Sequence, residues 1–169
     1  MKKVFFKHGE YPIIQGQRIE SVYLQLTGLS VATVLDGENR EVVYLIPPNG
    51  FMGVEVLLDG WARFTYEVVI ESEMMELTVE EFQNVVSTKV PLFKNLMRFV
   101  KYSIIERSIR KVGELENTVK VVLKFLEKWN VKINLEELRI ILGLKSLPGN
   151  FEEIVDLTPE GFVKLKEGE

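Results

Sequence analysis

Gly50, Gly53 and Arg63 are the residues whose types and spacing look most like a binding device. The two glycines bracket a short segment where missing side chains let the backbone turn and expose consecutive N–H groups. Residues 54–58 can then start one short helical turn, which Asp59-Gly60 ends. Arg63 follows with a planar fork of five donors suited to a phosphate or a carboxylate. Backbone donors and one guanidinium would face each other across an anion. The same residues would also serve a plain glycine-rich hairpin beside a strand arginine, and the segment alone leaves both open.

Other chemistry is narrowly bounded. With no cysteine, a disulfide frame, a thiolate zinc site, an iron–sulfur cluster and a cysteine nucleophile are all excluded. The one histidine, His8, falls in the turn after the first strand. Metal centres built on β-barrels use two or more histidines, and a Ser-His-Asp relay would depend on this single residue. A solvated surface role is expected for His8, and no catalytic residue, metal or cofactor is assigned.

The elements that must hold the cradle read as strands first. Residues 1–80 alternate with the two-residue period of half-buried strands, with Val22, Leu24 and Leu26 facing one way and Tyr23, Gln25 and Thr27 the other. Gly16-Gln17, Gly28, Asp36-Gly37 and Asn49-Gly50 are evenly spaced turn signals, the pattern of a double-stranded jelly roll or similar β-barrel. The apolar run 42–46 is stopped by Pro47-Pro48, and 64–70 with 74–77 would close the barrel.

Helices take over from there. Thr78 stands three residues before Glu81, a capping box that opens a short helix. Pro91 opens a longer one of roughly 20 residues, about 30 Å, with an apolar stripe at Phe93, Met97, Val100, Ile104, Ile105, Ile109 and Val112. Its near-3.5 spacing suits a two-helix seam; the alternative is packing on its own barrel alone. A further helix over 116–129 puts Val119, Val122, Leu126 and Trp129 on one face. The 46% apolar content supports a real core, and no run is long enough to span a bilayer. The start, Met1-Lys2-Lys3 followed by Lys7, His8, Gly9 and Glu10, predicts no signal peptide and a cytoplasmic protein without a membrane partner.

The order strand, Pro-Asn-Gly, Phe51-Met52-Gly53, short apolar turn, Asp59-Gly60, then Arg63 before a strand resembles the phosphate-binding cassette of cyclic-nucleotide-binding domains. With the long helix ending Lys111-Val112-Gly113-Glu114-Leu115, nearly the whole chain resembles the superfamily of the cyclic-AMP receptor protein and the fumarate-nitrate regulator (CRP/FNR). The resemblance implies an α+β chain: an effector-sensing jelly-roll β-barrel (1–90), a dimerisation helix (91–112) and a small winged helix-turn-helix (113–169). It implies a homodimeric transcription regulator, with DNA and RNA polymerase as partners. Residues 135–144 are similar to the first helix and turn of that motif with Gly143 at the turn, 145–157 lie where the recognition helix belongs, and 161–166 look like a wing strand.

Two departures shape the expectation. Cyclic-nucleotide binders of the family carry Glu directly after the cassette glycine and Ser or Thr directly after the arginine, whereas this chain has Val54 and Phe64, with Glu55 one residue late. Ser108 lies near the position that touches the base, beside Ile109. Cyclic AMP is therefore not the ligand expected. The pattern is more similar to members that sense a small carboxylate, such as the cyanobacterial nitrogen regulator that binds 2-oxoglutarate, and the resemblance gives Gly53, Val54, Glu55, Arg63, Phe64, Arg107 and Ser108 to an anionic effector. An empty site is the alternative.

The second departure is charge. Residues 131–169 hold five Lys or Arg against eight Asp or Glu, a balance of −3, whereas 91–130 hold nine against four, a balance of +5. DNA is bound largely through cations on its phosphates. The recognition segment carries Glu152, Glu153 and Asp156 and is broken by Pro148-Gly149, and Arg139 stands where the motif keeps a small residue. The helix-turn-helix is expected to be degenerate or shortened. Lys145, Ser146, Asn150, Lys164 and Lys166 remain its candidate DNA contacts, and a sensor or protein-interaction module without DNA binding is the alternative.

Overall fold

The computed structural model describes residues 1–112, 114–149 and 151–166. Seven strands fill the first half: β1 (Lys2–Phe6), β2 (Ser21–Gln25), β3 (Leu29–Asp36), β4 (Asn39–Ile46), β5 (Phe51–Met52), β6 (Thr65–Ile70) and β7 (Ser72–Thr78). They pair antiparallel as two sheets, β1-β7-β2-β5 and β4-β3-β6. Both sheets contribute to one core, with Val22, Met52 and Met74 from the first meeting Ala32, Tyr66 and Val68 from the second. The jelly roll is thus a two-sheet sandwich, not a closed barrel, and β5, two residues long, ends the first sheet.

Thr78 and Glu81 form the expected capping box and launch α1 (Val79–Thr88). The long helix α2 (Val90–Val112) follows, with Pro91 in its first turn, where a missing N–H is harmless. One side of α2 drives Leu96 and Phe99 into the sandwich core. Another leaves Phe93, Met97 and Ile104 at 46%, 50% and 62% exposure, so these three are not absorbed by the chain's own sheets, whereas Val100 packs on the sandwich core and the side chains of Ile109 and Val112 lie outside the described residues.

The C-terminal part is α3 (Leu115–Lys128), α4 (Leu135–Leu142), a 3-10 turn (Phe151–Glu153) and the hairpin of β8 (Val155–Leu157) with β9 (Val163–Leu165). Val119, Val122, Leu126, Leu138, Ile141 and Phe151 pack against Leu29, Val31, Leu45 and Val69 of the β4-β3-β6 sheet. That sheet is therefore covered on both faces. Its double burial accounts for the continuous apolar run in β4, which a half-solvated strand would interrupt.

Where a recognition helix is expected over 145–157, the described residues contain none. They run through turns and the 3-10 turn into β8. Pro148-Gly149 resists helix, and Arg139 occupies the approach: its guanidinium pairs with Glu136 and donates to the Leu144 carbonyl at 2.8 Å. The wing strand is present as β9.

Candidate functional site

Gly53 opens the cradle in the left-handed region at φ +79°, and a Cβ there would stand 2.8 Å from Ile13 Cδ1. Only glycine fits without displacement. A 3-10 turn (Val54–Leu57) follows, closed by the Leu58 N–H donating to the Glu55 carbonyl at 2.8 Å. Val54 is half-buried at its first position, and Glu55, at the second, turns inward and is 5% exposed.

The Glu55 carboxyl collects the donors of the cradle. Tyr66 O–H donates to Oε2 at 2.8 Å and the Arg63 backbone N–H to Oε1 at 3.3 Å. Tyr44 lies behind, its hydroxyl 3.2 Å from that of Tyr66. Burial raises the Glu55 pKa, opposed by its own backbone N–H, the Tyr66 hydroxyl and the Arg63 N–H. Burial likewise pushes Tyr44 and Tyr66 well up, so both stay protonated donors. The cradle therefore holds a carboxyl group supplied by the chain itself.

Arg63 does not face that carboxyl with its guanidinium. The side chain is exposed and pairs with Asp59 outside the cradle. Phe64 packs edge-on against Tyr44, ring centroids 5.3 Å apart, and against Tyr66 at 6.3 Å. From α2, Arg107 is exposed, yet close enough to Tyr44 for its charge to oppose the rise of that phenol's pKa. Ser108 is also exposed and donates its hydroxyl to the Ile104 carbonyl at 2.9 Å. Gly53, Val54, Glu55, Phe64 and the backbone N–H of Arg63 thus form one cluster, approached by Arg107, while the Arg63 guanidinium lies outside it and Ser108 turns back onto its own helix.

A second buried polar group lies beyond this cluster, joined to it only through the chain from Tyr44 to Leu45. Glu106 on α2 accepts the backbone N–H of Leu45, next to Tyr44, at 3.0 Å. Its other oxygen pairs with Arg110 at 2.7 Å, and Arg110 donates to the Ile141 carbonyl on α4 at 2.9 Å. Burial raises the Glu106 pKa despite the Arg110 charge. Tyr44, Tyr66 and Glu106 are the buried polar residues beside these candidates, and sequence reasoning does not reach them. Tyr44 and Tyr66 sit within apolar strands, and only the i,i+4 pairing of Glu106 with Arg110 is a signal readable in the sequence.

No protein-family model and no curated protein sequence matches the chain. Solved structures do. FixK2 from Bradyrhizobium japonicum aligns with a TM-score of 0.72 at 14% identity, over 98% of this chain and 92% of that one. A CRP-family transcriptional regulator from Thermus thermophilus aligns at 0.70 and 19% identity, over 98% and 91%. A second regulator from that organism, of the CRP/FNR family, aligns at 0.67 and 20%, over 98% and 94%. The fold is that of the CRP/FNR regulators.

On this CRP/FNR fold, Lys145 and Ser146 are exposed just beyond α4, and Lys164 is exposed on β9 directly opposite Asp156 of β8. Lys166 is exposed and donates to the Glu152 carbonyl at 3.3 Å. Asn150 lies outside the described residues. His8 is exposed, with Nδ1 2.7 Å from the Val69 carbonyl oxygen. No described helix is long and apolar enough to cross a membrane.

Proposed function

We propose that this chain is a homodimeric regulator of CRP/FNR type whose output is a protein contact rather than base reading in the DNA major groove. The observation that carries this is the segment after Gly143, whose described residues run through turns and a 3-10 turn rather than a recognition helix. Major-groove readout by this motif needs that second helix. The −3 balance of residues 131–169 supports the same reading, because phosphate binding needs cations. The exposed apolar residues of α2 supply the seam for a second copy. In the sensing half, an anionic effector would compete with the Glu55 carboxyl for the cradle and shift α2 through the chain from Tyr44 to Leu45, which meets Glu106.

The second reading is a DNA-binding transcription regulator. It is favoured by the alignment of the chain, along 98% of its length, with transcriptional regulators and by the exposed Lys164 and Lys166 at the wing. Fluorescence anisotropy against a pool of labelled genomic duplexes, from low to physiological salt, separates the two. No binding at low salt supports protein output. Saturable binding with a steep negative log-log salt slope establishes the DNA regulator.

A further inference from the structure

A second concave site lies where three parts of the fold meet; it takes in Gly50 but none of the residues around Glu55. The loop before β5, including Gly50, forms one wall of a cleft of about 380 Å³. Asn95, Arg98 and Tyr102 on α2 form the second, and Lys128 with Trp129 at the end of α3 the third. Its size lies within the range of small-molecule pockets, roughly 300–1,000 Å³. The loop wall is fixed. A Cβ on Gly50 would stand 2.8 Å from both Ile46 Cγ2 and the Pro47 carbonyl oxygen and 3.2 Å from Phe99 Cε2, so the loop is pressed onto α2.

The chemistry of the walls is of two kinds. Tyr102 and Trp129 present aromatic rings whose centroids are 6.0 Å apart at 88°, steadied by Phe125 at 5.8 Å from the first and 5.7 Å from the second. Two cations stand beside them. Among the described residues, Lys128 has no carboxylate partner and donates to the Tyr102 hydroxyl at 2.7 Å, while Arg98 has neither an ion pair nor a side-chain hydrogen bond. The hydrogen bond from Lys128, with its charge and those of Arg98 and Lys101, holds the Tyr102 phenol below its usual range, as a positive field requires.

We propose that this cleft binds a small organic anion with a flat unsaturated body. Because the two rings are perpendicular and the Lys128 ammonium sits 5.0 Å from the Tyr102 ring centroid, its ring would stack on Trp129 and meet Tyr102 edge-on, and its phosphate or carboxylate would bridge Arg98 and Lys128, with the Asn95 amide at the edge. The cradle at Gly53, whose inward donors already hold Glu55, is not part of this site. Such a ligand would touch the sandwich, α2 and α3 at once, and binding would tie their relative positions together. The site is defined by binding and stands independently of how the chain delivers its output.

The test uses the full chain with Trp61 replaced by Phe, so that Trp129 is the sole tryptophan reporter. Adenosine 5′-monophosphate and indole-3-acetate serve as probes in calorimetry, and fluorescence follows the first; inorganic phosphate and neutral adenosine are controls. At least one probe should bind saturably and about tenfold or more tighter than either control. A preference between the two probes then distinguishes a phosphate from a carboxylate head. Arg98→Ala and Lys128→Ala, both exposed, should each weaken binding about tenfold, the loss expected of one charge-assisted hydrogen bond. Arg63→Ala should leave it unchanged. Absence of saturation by both probes at about 1 mM overturns the proposal. So does binding lost in Arg63→Ala but kept in the Arg98 and Lys128 variants, which assigns the ligand to the cradle.

Discussion

Arg110 on α2 donates one hydrogen bond to the Ile141 carbonyl of α4 while its guanidinium holds the buried Glu106. Since Glu106 in turn accepts the Leu45 N–H on β4, three elements from both halves of the chain meet at one ion pair. Glu106 is 3% exposed, so the solvation of its carboxyl is supplied almost entirely by these partners.

Removing one member of the pair should cost far more than replacing both. Arg110→Ala is expected to destabilise the fold by about 3–5 kcal/mol by stranding a buried carboxyl. The double variant Glu106→Leu, Arg110→Met should lose less than Arg110→Ala alone, because no unpaired charge remains. Urea denaturation of the three proteins at pH 7 gives the comparison.

Glu55 makes a pH prediction whose sign follows from its raised pKa. The folded state retains a proton on Glu55 that the unfolded chain releases near 4.5. Its contribution is thus fully present below that value and declines as pH rises through the folded pKa. In Glu55→Gln this decline is removed. The melting temperature of the variant, relative to the wild type, should therefore climb as the pH is raised above about 4.5. A constant difference between the two across pH 4 to 8 would show that Glu55 does not titrate differently in the two states.

Gly143 ends α4 at φ +71°, and a Cβ there would stand 3.4 Å from Val42 Cγ2. Gly143→Ala is expected to cost about 1–2 kcal/mol, mainly from the left-handed backbone. Gly161, also at positive φ but with open space around it, is the control. If backbone strain dominates, the alanine variants at 143 and 161 will lose similar stability; a larger loss at 143 measures the contact with β4.

Sedimentation checks the second copy. Ile104 is the most exposed apolar residue on the α2 stripe between Phe93 and Ile105. Ile104→Asp should convert a dimer into a folded monomer with an unchanged far-ultraviolet spectrum. A dimer that persists in this variant would move the interface off α2.

Much of this architecture was legible from local chemistry. Thr78 with Glu81, the stripe Val119-Val122-Leu126 and Gly143 each mark a helix by a rule that acts within one turn. Pro148-Gly149 forecast the broken recognition segment for the same reason. The inward turn of Glu55 was less accessible, because a one-residue offset in a 3-10 turn changes direction in a way that spacing alone does not resolve. The docking of α3 and α4 on the sheet was hidden further still. Residues 42–46 are an apolar run that fits a strand buried by any neighbour, and only the tertiary packing says which one.

The sheet covered on both sides has a kinetic consequence. Strand β3 is flanked by β4 and β6, with the sandwich core against one face and α3 and α4 against the other. Over its buried part, 29–33, amide protons can reach solvent only when both layers part, so this part of β3 should belong to the slowest-exchanging set in the chain. Any event that loosens α4 would then be recorded as faster deuterium uptake in a strand that the event never touches.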